Sequence, residues 1–248
     1  MPKIEISEER GVRFLHFGSP WVQGAMRIAR PYALELEYTR DLMLPLLFHG
    51  DEWPASVLQV GLGTASVTKF LYRYRPRSRI TVVEIAETVV MAAYQYFRLP
   101  EPSARLHIEI ADGHDYVART TRKFDLIVVD GFDDKGRAGM LDSRPFYANC
   151  RARLSRRGAL AVNLVTRTRS ARPSLDRLRE SFDDRILVMA PSEAGNIVAL
   201  AAGGDEVDET WERLRKRADE LRAATGLNLH SALARARLTA RGAGGVKL

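Results

Sequence analysis

From residue 56 onward, short apolar segments alternate regularly with longer helical patterns, and few folds accommodate such an alternation. The apolar segments are rich in β-branched residues and are too short to be helices, so we predict strands. Strands that are apolar throughout are typical of a parallel sheet covered by helices on both faces. The predicted strands are 56–60, 80–84, 106–110 and 124–130, and the helices between them are 66–74, 87–97 and 116–121.

The pattern changes near the C-terminal end of this α/β unit. Only six residues, 191–196, separate the apolar segments 185–190 and 197–201. That length is too short for a parallel crossover, so an antiparallel C-terminal hairpin is predicted on an otherwise mostly parallel sheet. The remaining predicted elements are helices over 144–154, 174–182 and 206–222 and a strand over 159–165.

The flanking segments divide the chain into three parts. Alternation over 3–7 and 12–17 predicts a small N-terminal β-hairpin, and a four-residue apolar repeat predicts a helical segment over 31–49. We therefore expect an N-terminal extension over 1–30 and one α/β nucleoside-binding catalytic domain over 31–225. The basic, glycine-containing residues 226–248 are expected to form a flexible tail.

Composition excludes several classes of protein. The single cysteine, Cys150, excludes an intramolecular disulfide framework and a cysteine-rich zinc site, and the five histidines show no paired ligand spacing, so no metal site is predicted. The net charge of +7 comes from scattered arginines without interleaved aromatic residues, so nucleic acid is not expected as a partner. No signal-peptide pattern or membrane-length apolar run is present, which predicts a cytoplasmic protein without a membrane partner.

Candidate ligand-binding residues follow the predicted strands. An open α/β sheet binds its ligand at the carboxyl ends of its strands. Gly61-Leu-Gly63-Thr64 follows the first strand, where a nucleoside can approach backbone that carries no Cβ. Glu84 ends the second strand, where a carboxylate can accept bonds from both ribose hydroxyls. A tight turn and a helix-capping glutamate are the structural alternatives for these two features.

The next two strands also end in carboxylates. Asp112-Gly113 follows the third strand, where Asp112 can accept a bond from an adenine amino group, cap the next helix, or do both. Asp130 ends the fourth strand, and Asp133 and Asp134 follow in a glycine-flanked loop. These carboxylates can hold a cationic amine and accept its proton, or can form a solvated turn.

Four phrases in this order, Val60-Gly-Leu-Gly63, Val83-Glu-Ile85, Ala111-Asp-Gly113 and Val129-Asp-Gly-Phe-Asp133, resemble spermidine synthase and its bacterial relatives. The resemblance implies a methyltransferase-like, Rossmann-like sheet. It implies decarboxylated S-adenosylmethionine as co-substrate with no tightly bound cofactor, methylthioadenosine as product, putrescine or a similar polyamine precursor as acceptor, and a homodimer.

The resemblance also implies roles for individual residues. Asp130 matches the catalytic aspartate, Asp133 the second aspartate of the same phrase, and Tyr38 and Gln23 the amine-side tyrosine and glutamine. The donor-binding positions are matched by glycines and carboxylates at the strand ends and by the turn residue that follows them, namely Gly61, Gly63, Thr64, Glu84, Asp112 and Gly113.

Two departures leave other functions open. Thr64-Ala65-Ser66 stands where the family has Asp-Gly-Gly, and Ala86 replaces the acidic residue after Glu-Ile. The loss of a carboxylate beside the donor's ammonium favours a methyltransferase that uses S-adenosylmethionine in the same pocket. A non-catalytic nucleoside-binding relative is the third possibility, and it is distinguished by whether Asp130 and Asp133 face the same cavity as Glu84.

Overall fold

The computed structural model describes residues 3–19, 21–133, 135–165, 170–192, 195–240, 242 and 244–248. Asp134, named above beside Asp133, lies outside these residues. The strands are β1 (Ile4–Glu9), β2 (Val12–Phe17), β3 (Val22–Arg27), β4 (Ser56–Val60), β5 (Arg79–Glu84), β6 (Leu106–Ile110), β7 (Phe124–Val129), β8 (Leu154–Val165), β9 (Ile186–Val188), β10 (Asn196–Ala202), β11 (Asp208–Thr210) and β12 (Gly245–Lys247). The α-helices are α1 (Glu37–Asp41), α2 (Ser66–Tyr74), α3 (Glu87–Phe97), α4 (Gly113–Arg119), α5 (Arg144–Arg153), α6 (Arg172–Ser181), α7 (Trp211–Thr225) and α8 (His230–Thr239), with 3-10 turns at Leu44–Leu47 and Gly139–Asp142.

A seven-stranded sheet in the order β6-β5-β4-β7-β8-β10-β9 forms the centre of the molecule. The pairs from β6 to β8 are parallel, whereas β10 is antiparallel to both β8 and β9. This confirms the predicted Rossmann-like sheet and its antiparallel C-terminal hairpin. The strand order reverses between β4 and β7, and the carboxyl ends of strands at such a reversal form the usual ligand crevice of an open α/β sheet.

The N-terminal extension is a three-stranded antiparallel sheet rather than a lone hairpin. The missed strand, β3, contains Gly24, and a glycine inside a strand weakens the alternation by which strands are recognised. The glycine has a packing reason, because a Cβ there would lie 2.6 Å from the side chain of Thr64. The extension is thereby packed directly against the glycine turn that follows β4.

The helical segment predicted over 31–49, in which Pro45 is expected to kink the helix or split off its last turn, is much shorter in the structure. The segment forms only the five-residue α1 and the 3-10 turn at Leu44–Leu47, in which Pro45 stands near the N-terminus of the turn. Proline removes a backbone donor and ends the α-helical pattern before it. The apolar repeat arises because Leu42, Leu46 and their neighbours are buried, not because they share one helix face.

The flexible tail predicted over 226–248 is also different in the structure. Gly226, with a φ of 78°, ends α7, and the chain then forms α8 and β12, which pairs with β11. Apolar residues of this region, including Leu229, Leu233 and Leu248, are buried in the core. Burial of these side chains stabilises the segment in spite of its basic composition.

Among the described residues, no helix is both long enough and apolar enough to cross a membrane.

Candidate active site

A cavity of about 790 Å³ lies at the carboxyl ends of the parallel strands. Its wall is formed by the carboxyl ends of the strands β4 to β8 with Asn196 of β10, by the N-terminal sheet and α1, and by the loop that follows β7. Residues singled out from the sequence that line it are Gln23, Tyr38, Gly61, Gly63, Glu84, Asp112, Gly113, Asp130 and Asp133. The strand-end residues therefore meet at one site, as the parallel topology requires.

The glycine turn that follows β4 lies close to the end of β7. Gly61 has a φ of +89°, and a Cβ there would lie 2.1 Å from the carbonyl oxygen of Asp130. Only glycine fits this position, because both the backbone conformation and the close approach exclude a side chain. Thr64 is not among the described residues that line the cavity. The residue is 3% exposed, and its hydroxyl is 2.9 Å from that of Ser66.

The Glu84 carboxylate is held rigidly at the end of β5. Its two oxygens accept backbone N–H bonds from Leu62 at 2.8 Å and from Ala86 at 2.9 Å. Burial raises the pKa of Glu84 in spite of these bonds, which favour the charged form. A third backbone bond, from Ile85, also favours the charged form, and since a carboxylate has about four acceptor positions, at least one remains for a ligand hydroxyl. Glu84 is thus a preorganised acceptor in the cavity wall.

Asp112 is the N-cap of α4, which was the structural alternative for this residue. Its Oδ1 accepts bonds from the backbone N–H of His114 at 2.8 Å and of Asp115 at 3.2 Å, and the cap does not use Oδ2. The residue also lines the cavity, so capping is compatible with ligand binding. Gly113 is required by packing as well, because a Cβ there would lie 2.3 Å from Cγ1 of Val60.

Asp130 lies at the centre of a polar chain. Nδ2 of Asn163 donates to Oδ1 of Asp130 at 2.9 Å, and Nδ2 of Asn196 donates to Oδ1 of Asn163 at 2.9 Å. The hydroxyl of Tyr38 also hydrogen-bonds to Asp130. Burial raises the pKa of Asp130 to about 6, although the bonds from Asn163 and Tyr38 oppose the increase. The carboxylate is therefore a stronger base than an ordinary aspartate.

The Tyr38 phenol is protonated at neutral pH. Burial, followed by the nearby charge of Asp130, raises the pKa of its phenol well above the ordinary value. The hydroxyl is consequently a hydrogen-bond donor to Asp130 and not a base.

Asp133 has a different environment in the loop after β7. Its Oδ1 accepts the backbone N–H bonds of Lys135 and Arg137, and its Oδ2 lies 2.7 Å from the Arg137 guanidinium. Burial raises the pKa of Asp133, but the bonds from Arg137 and Lys135 outweigh it and hold the pKa below its ordinary value. Arg137 also lines the cavity, so a cation stands beside this carboxylate.

The far end of the same loop is anchored at Asp142. Its carboxylate accepts bonds from the hydroxyls of Tyr147 at 2.9 Å and Ser174 at 2.7 Å, and it pairs with Arg177. The cavity-lining residues Gly136–Leu141 thus lie between Asp133 and a fixed point on α5 and α6. The hydroxyl of Tyr147 thus has a structural role, which is to hold the loop over the cavity.

Sequence reasoning missed several residues of the wall. Four cavity-lining residues were given no role in the sequence analysis, namely Glu37, Arg137, Asn163 and Asn196. A buried asparagine in an otherwise apolar strand was the one available signal, since such a residue needs a polar partner.

One group of possible metal ligands occurs among the described residues. Ligand atoms of Asp112, His114 and Asp115 lie within 4.8 Å of one another. The two aspartates are exposed, and Asp112 already caps α4, so the arrangement is explained by the helix terminus alone.

Comparison with known proteins places this site in a family context. A family model described as the spermine/spermidine synthase domain matches residues 35–165. The polyamine aminopropyltransferase of Chromobacterium violaceum is 36% identical over 227 residues, which are 92% of this chain and 86% of that protein. The enzyme of the same name from Neisseria meningitidis serogroup B is 35% identical over 233 residues, which are 94% of this chain and 88% of that protein.

Solved structures agree on the fold. A probable spermidine synthase from Corynebacterium glutamicum superposes with a TM-score of 0.71 at 20% identity and covers 91% of each chain. A spermidine synthase in complex with the transition-state analogue AdoDATO gives a TM-score of 0.66 at 20% identity, with 94% of this chain and 84% of that chain covered. A human methyltransferase-like protein 13 bound to SAH gives 0.66 at 24% identity, with 84% of this chain and 95% of that chain covered. At these identities the likeness concerns the fold and not the reaction.

Proposed function

Because the chain belongs to the spermine/spermidine synthase family, we propose that it transfers an aminopropyl group from decarboxylated S-adenosylmethionine to putrescine or a similar amine. One observation carries this proposal: Asp130, Asp133 and Glu84 line the same cavity. A non-catalytic relative would not need a base, an amine-binding carboxylate and a ribose acceptor to face one space.

The adenosine half of the donor fits the β4–β5 side of the cavity. Gly61 and Gly63 allow the backbone to approach the ligand, Glu84 is placed to accept bonds from the ribose hydroxyls, and Asp112 is placed to accept one from the adenine amino group. Gly113 packs on β4 beneath this region. This assignment puts the sulfonium near the β4–β7 reversal, toward Asp130.

The transfer is a displacement at carbon. The unprotonated acceptor nitrogen attacks the methylene carbon of the aminopropyl group that is bonded to the sulfonium. The bond between this carbon and sulfur breaks, its electron pair stays on sulfur, and methylthioadenosine leaves. The proton of the acceptor ammonium goes to Asp130. Because sulfonium already leaves well, alignment and a local negative field are the main requirements on the protein.

The electrostatics of Asp130 suit this role. An alkyl ammonium has an ordinary pKa of about 10, far above that of an aspartate. Raising the pKa of Asp130 from 3.8 to about 6 narrows this gap, which corresponds to about 3 kcal/mol of proton affinity. Tyr38 and Asn163 hold the carboxylate in place, and Gln23 and Asp133 are positioned in the wall to orient the acceptor.

Methyl transfer from S-adenosylmethionine is the second candidate. It is favoured by the position of Thr64, which leaves no carboxylate at the glycine turn, and by Arg137, whose guanidinium in the cavity wall can pair with a substrate carboxylate. A carboxylate is what distinguishes S-adenosylmethionine from its decarboxylated form.

Parallel calorimetric titrations separate the two candidates. Decarboxylated S-adenosylmethionine and methylthioadenosine are expected to bind more tightly than S-adenosylmethionine if the transferred group is aminopropyl. The opposite preference would assign methyl transfer, and binding of none would leave the fold without a donor.

Replacement of Asp130 by asparagine tests the base. The D130N variant is expected to lose turnover while it keeps its affinity for methylthioadenosine, because the carboxylate contacts the acceptor and not the adenosine. Turnover equal to that of the wild type would remove Asp130 from the mechanism. A homodimer and a cytoplasmic location belong to the same proposal, on the family resemblance alone.

A further inference from the structure

The helix that carries Tyr38 is too short to hold its own conformation. α1 has five residues and the following 3-10 turn has four, and within the described part of the chain neither has a side-chain hydrogen bond that caps its N-terminus. Isolated helices of this length are unstable in water because nucleation costs more than a few hydrogen bonds return. The position of the Tyr38 hydroxyl must therefore depend on contacts from other parts of the fold.

Those contacts come from the C-terminal helices. The guanidinium of Arg235, on α8, pairs with the carboxylate of Glu37, and its Nη2 lies 2.5 and 2.6 Å from the two oxygens of Asp41. The Arg235 side chain is 14% exposed and that of Asp41 4%. A planar guanidinium that bridges two carboxylates fixes direction as well as distance, which an ammonium does not.

A second arginine secures the other end of the same segment. Nη1 of Arg217, on α7, donates to the backbone carbonyl of Leu47 at 2.7 Å and to the Glu209 carboxylate at 2.9 Å. Arg235 and Arg217 therefore contact the two ends of the segment 37–47, and both belong to helices that follow the whole central sheet in sequence. α8 itself is seated in the core by buried Leu233 and Ala236.

The Arg235 contacts bracket Tyr38 in sequence. Glu37 directly precedes the tyrosine and Asp41 follows three positions later, so the two carboxylates lie one turn apart on the same face of α1. The Tyr38 side chain reaches Asp130 and the cavity. Because the Arg235 contacts fix this turn of α1, they also set the direction in which the Tyr38 side chain projects from the helix.

We propose that Arg235 is a positioning residue of the acceptor site, which acts by holding α1 so that the Tyr38 hydroxyl meets Asp130. The proposal rests on the proposed function for its kinetic readout. It assigns a role in the site to a residue close to the C-terminus, where the sequence predicted only a flexible tail.

A double-mutant cycle tests this role. Arg235→Lys keeps the charge but loses the fork between Glu37 and Asp41, and is expected to lower kcat/KM for the acceptor about tenfold, the equivalent of one charge-assisted hydrogen bond. Methylthioadenosine affinity should stay within about twofold of the wild type. In a Tyr38→Phe background the same substitution should have almost no further effect, because residues that act through one another are not additive.

Arg237→Lys is the matched control, since Arg237 is exposed on the same helix. The proposal is overturned if Arg235→Lys behaves like this control, if its full effect persists in the Tyr38→Phe background, or if methylthioadenosine binding falls in parallel with turnover. Asp41→Asn, which leaves the Glu37 contact in place, replaces Arg235→Lys in the same cycle if that variant does not fold. If the wild type itself transfers no aminopropyl group, the proposed function fails. The role of Arg235 is then tested independently by comparing the Kd of putrescine between the wild type and the Arg235→Lys variant, both loaded with methylthioadenosine.

Discussion

The bond from Asn163 to Asp130 allows a quantitative test of the proposed base. The amide donates to a carboxylate at 2.9 Å and so stabilises the ionised form. A hydrogen bond to a charged group contributes about 1.5–3 kcal/mol, which corresponds to about one to two pH units. Replacing Asn163 by leucine, which has a similar shape, should therefore raise the pKa of Asp130 from about 6 to about 7–8.

The assay is the pH dependence of kcat/KM for the acceptor. A base must be unprotonated to act, so the acid limb of the profile reports its pKa in the free enzyme. The wild-type limb is expected near pH 6, and the limb of N163L about one to two pH units higher, with both profiles converging at alkaline pH.

Asn196→Ala is the control for this measurement. It removes the outer amide of the chain but leaves the bond from Asn163 to Asp130, so the limb should move by less than half as much. A uniform fall of kcat/KM for N163L at every pH, with the limb unmoved, would refute the assignment of Asp130 as the titrating base.

Three further predictions follow from charged groups of the fold. Glu84→Gln should weaken methylthioadenosine binding about 10- to 100-fold in calorimetry, because a charged acceptor at the ribose becomes neutral; unchanged affinity would place the ribose elsewhere. Nζ of Lys69 donates to the Phe97 carbonyl at 2.6 Å, and burial lowers the pKa of this lysine to about 7. Between pH 7 and about 10, Lys69 is therefore protonated in the unfolded chain but neutral in the folded protein. The free energy of unfolding should then increase with pH by about 1.4 kcal/mol per unit in this range relative to Lys69→Met, and equal slopes in denaturant titrations would contradict it. Arg137→Gln should lower the acceptor KM about two- to fivefold by freeing Asp133, since an exposed ion pair contributes less than about 1 kcal/mol; a higher KM would mean that Arg137 binds substrate.

The central sheet was predictable because its information is local. Apolar segments such as Ser56–Val60 and Phe124–Val129 indicate buried strands by their own composition, independently of the rest of the chain. The misassigned parts depend on distant contacts instead. The strand containing Gly24 exists because it covers the glycine turn, and α8 is ordered because the core buries its apolar face.

The same distinction separates the predicted from the missed site residues. Glu84 and Asp130 were found because the end of a parallel strand has a fixed place in the fold. Asn196 lines the cavity and donates to Asn163 across the antiparallel pair β8–β10, and the register of that pair cannot be deduced from either strand alone. Arg235 is almost two hundred positions from the helix it holds, so no local pattern could have revealed it.

The charges of the cavity suggest how this chain differs from the family pattern. Thr64 is bonded to Ser66 beneath Gly24, and the carboxylates that line the cavity among the described residues are those of Glu37, Glu84, Asp112, Asp130 and Asp133. Glu37 pairs with Arg235, and Glu84 and Asp112 are assigned to the adenosine, which leaves Asp130 and Asp133 for ammonium groups. If the chain transfers an aminopropyl group as proposed, the donor's ammonium must share Asp130 or Asp133 with the acceptor, because Thr64 stands where the family has an aspartate. Two cations that share one pair of carboxylates weaken each other's binding. Methylthioadenosine, which lacks the ammonium, therefore loses little relative to the donor, and we expect the donor's advantage in Kd over this product to be smaller than in relatives that keep the loop aspartate.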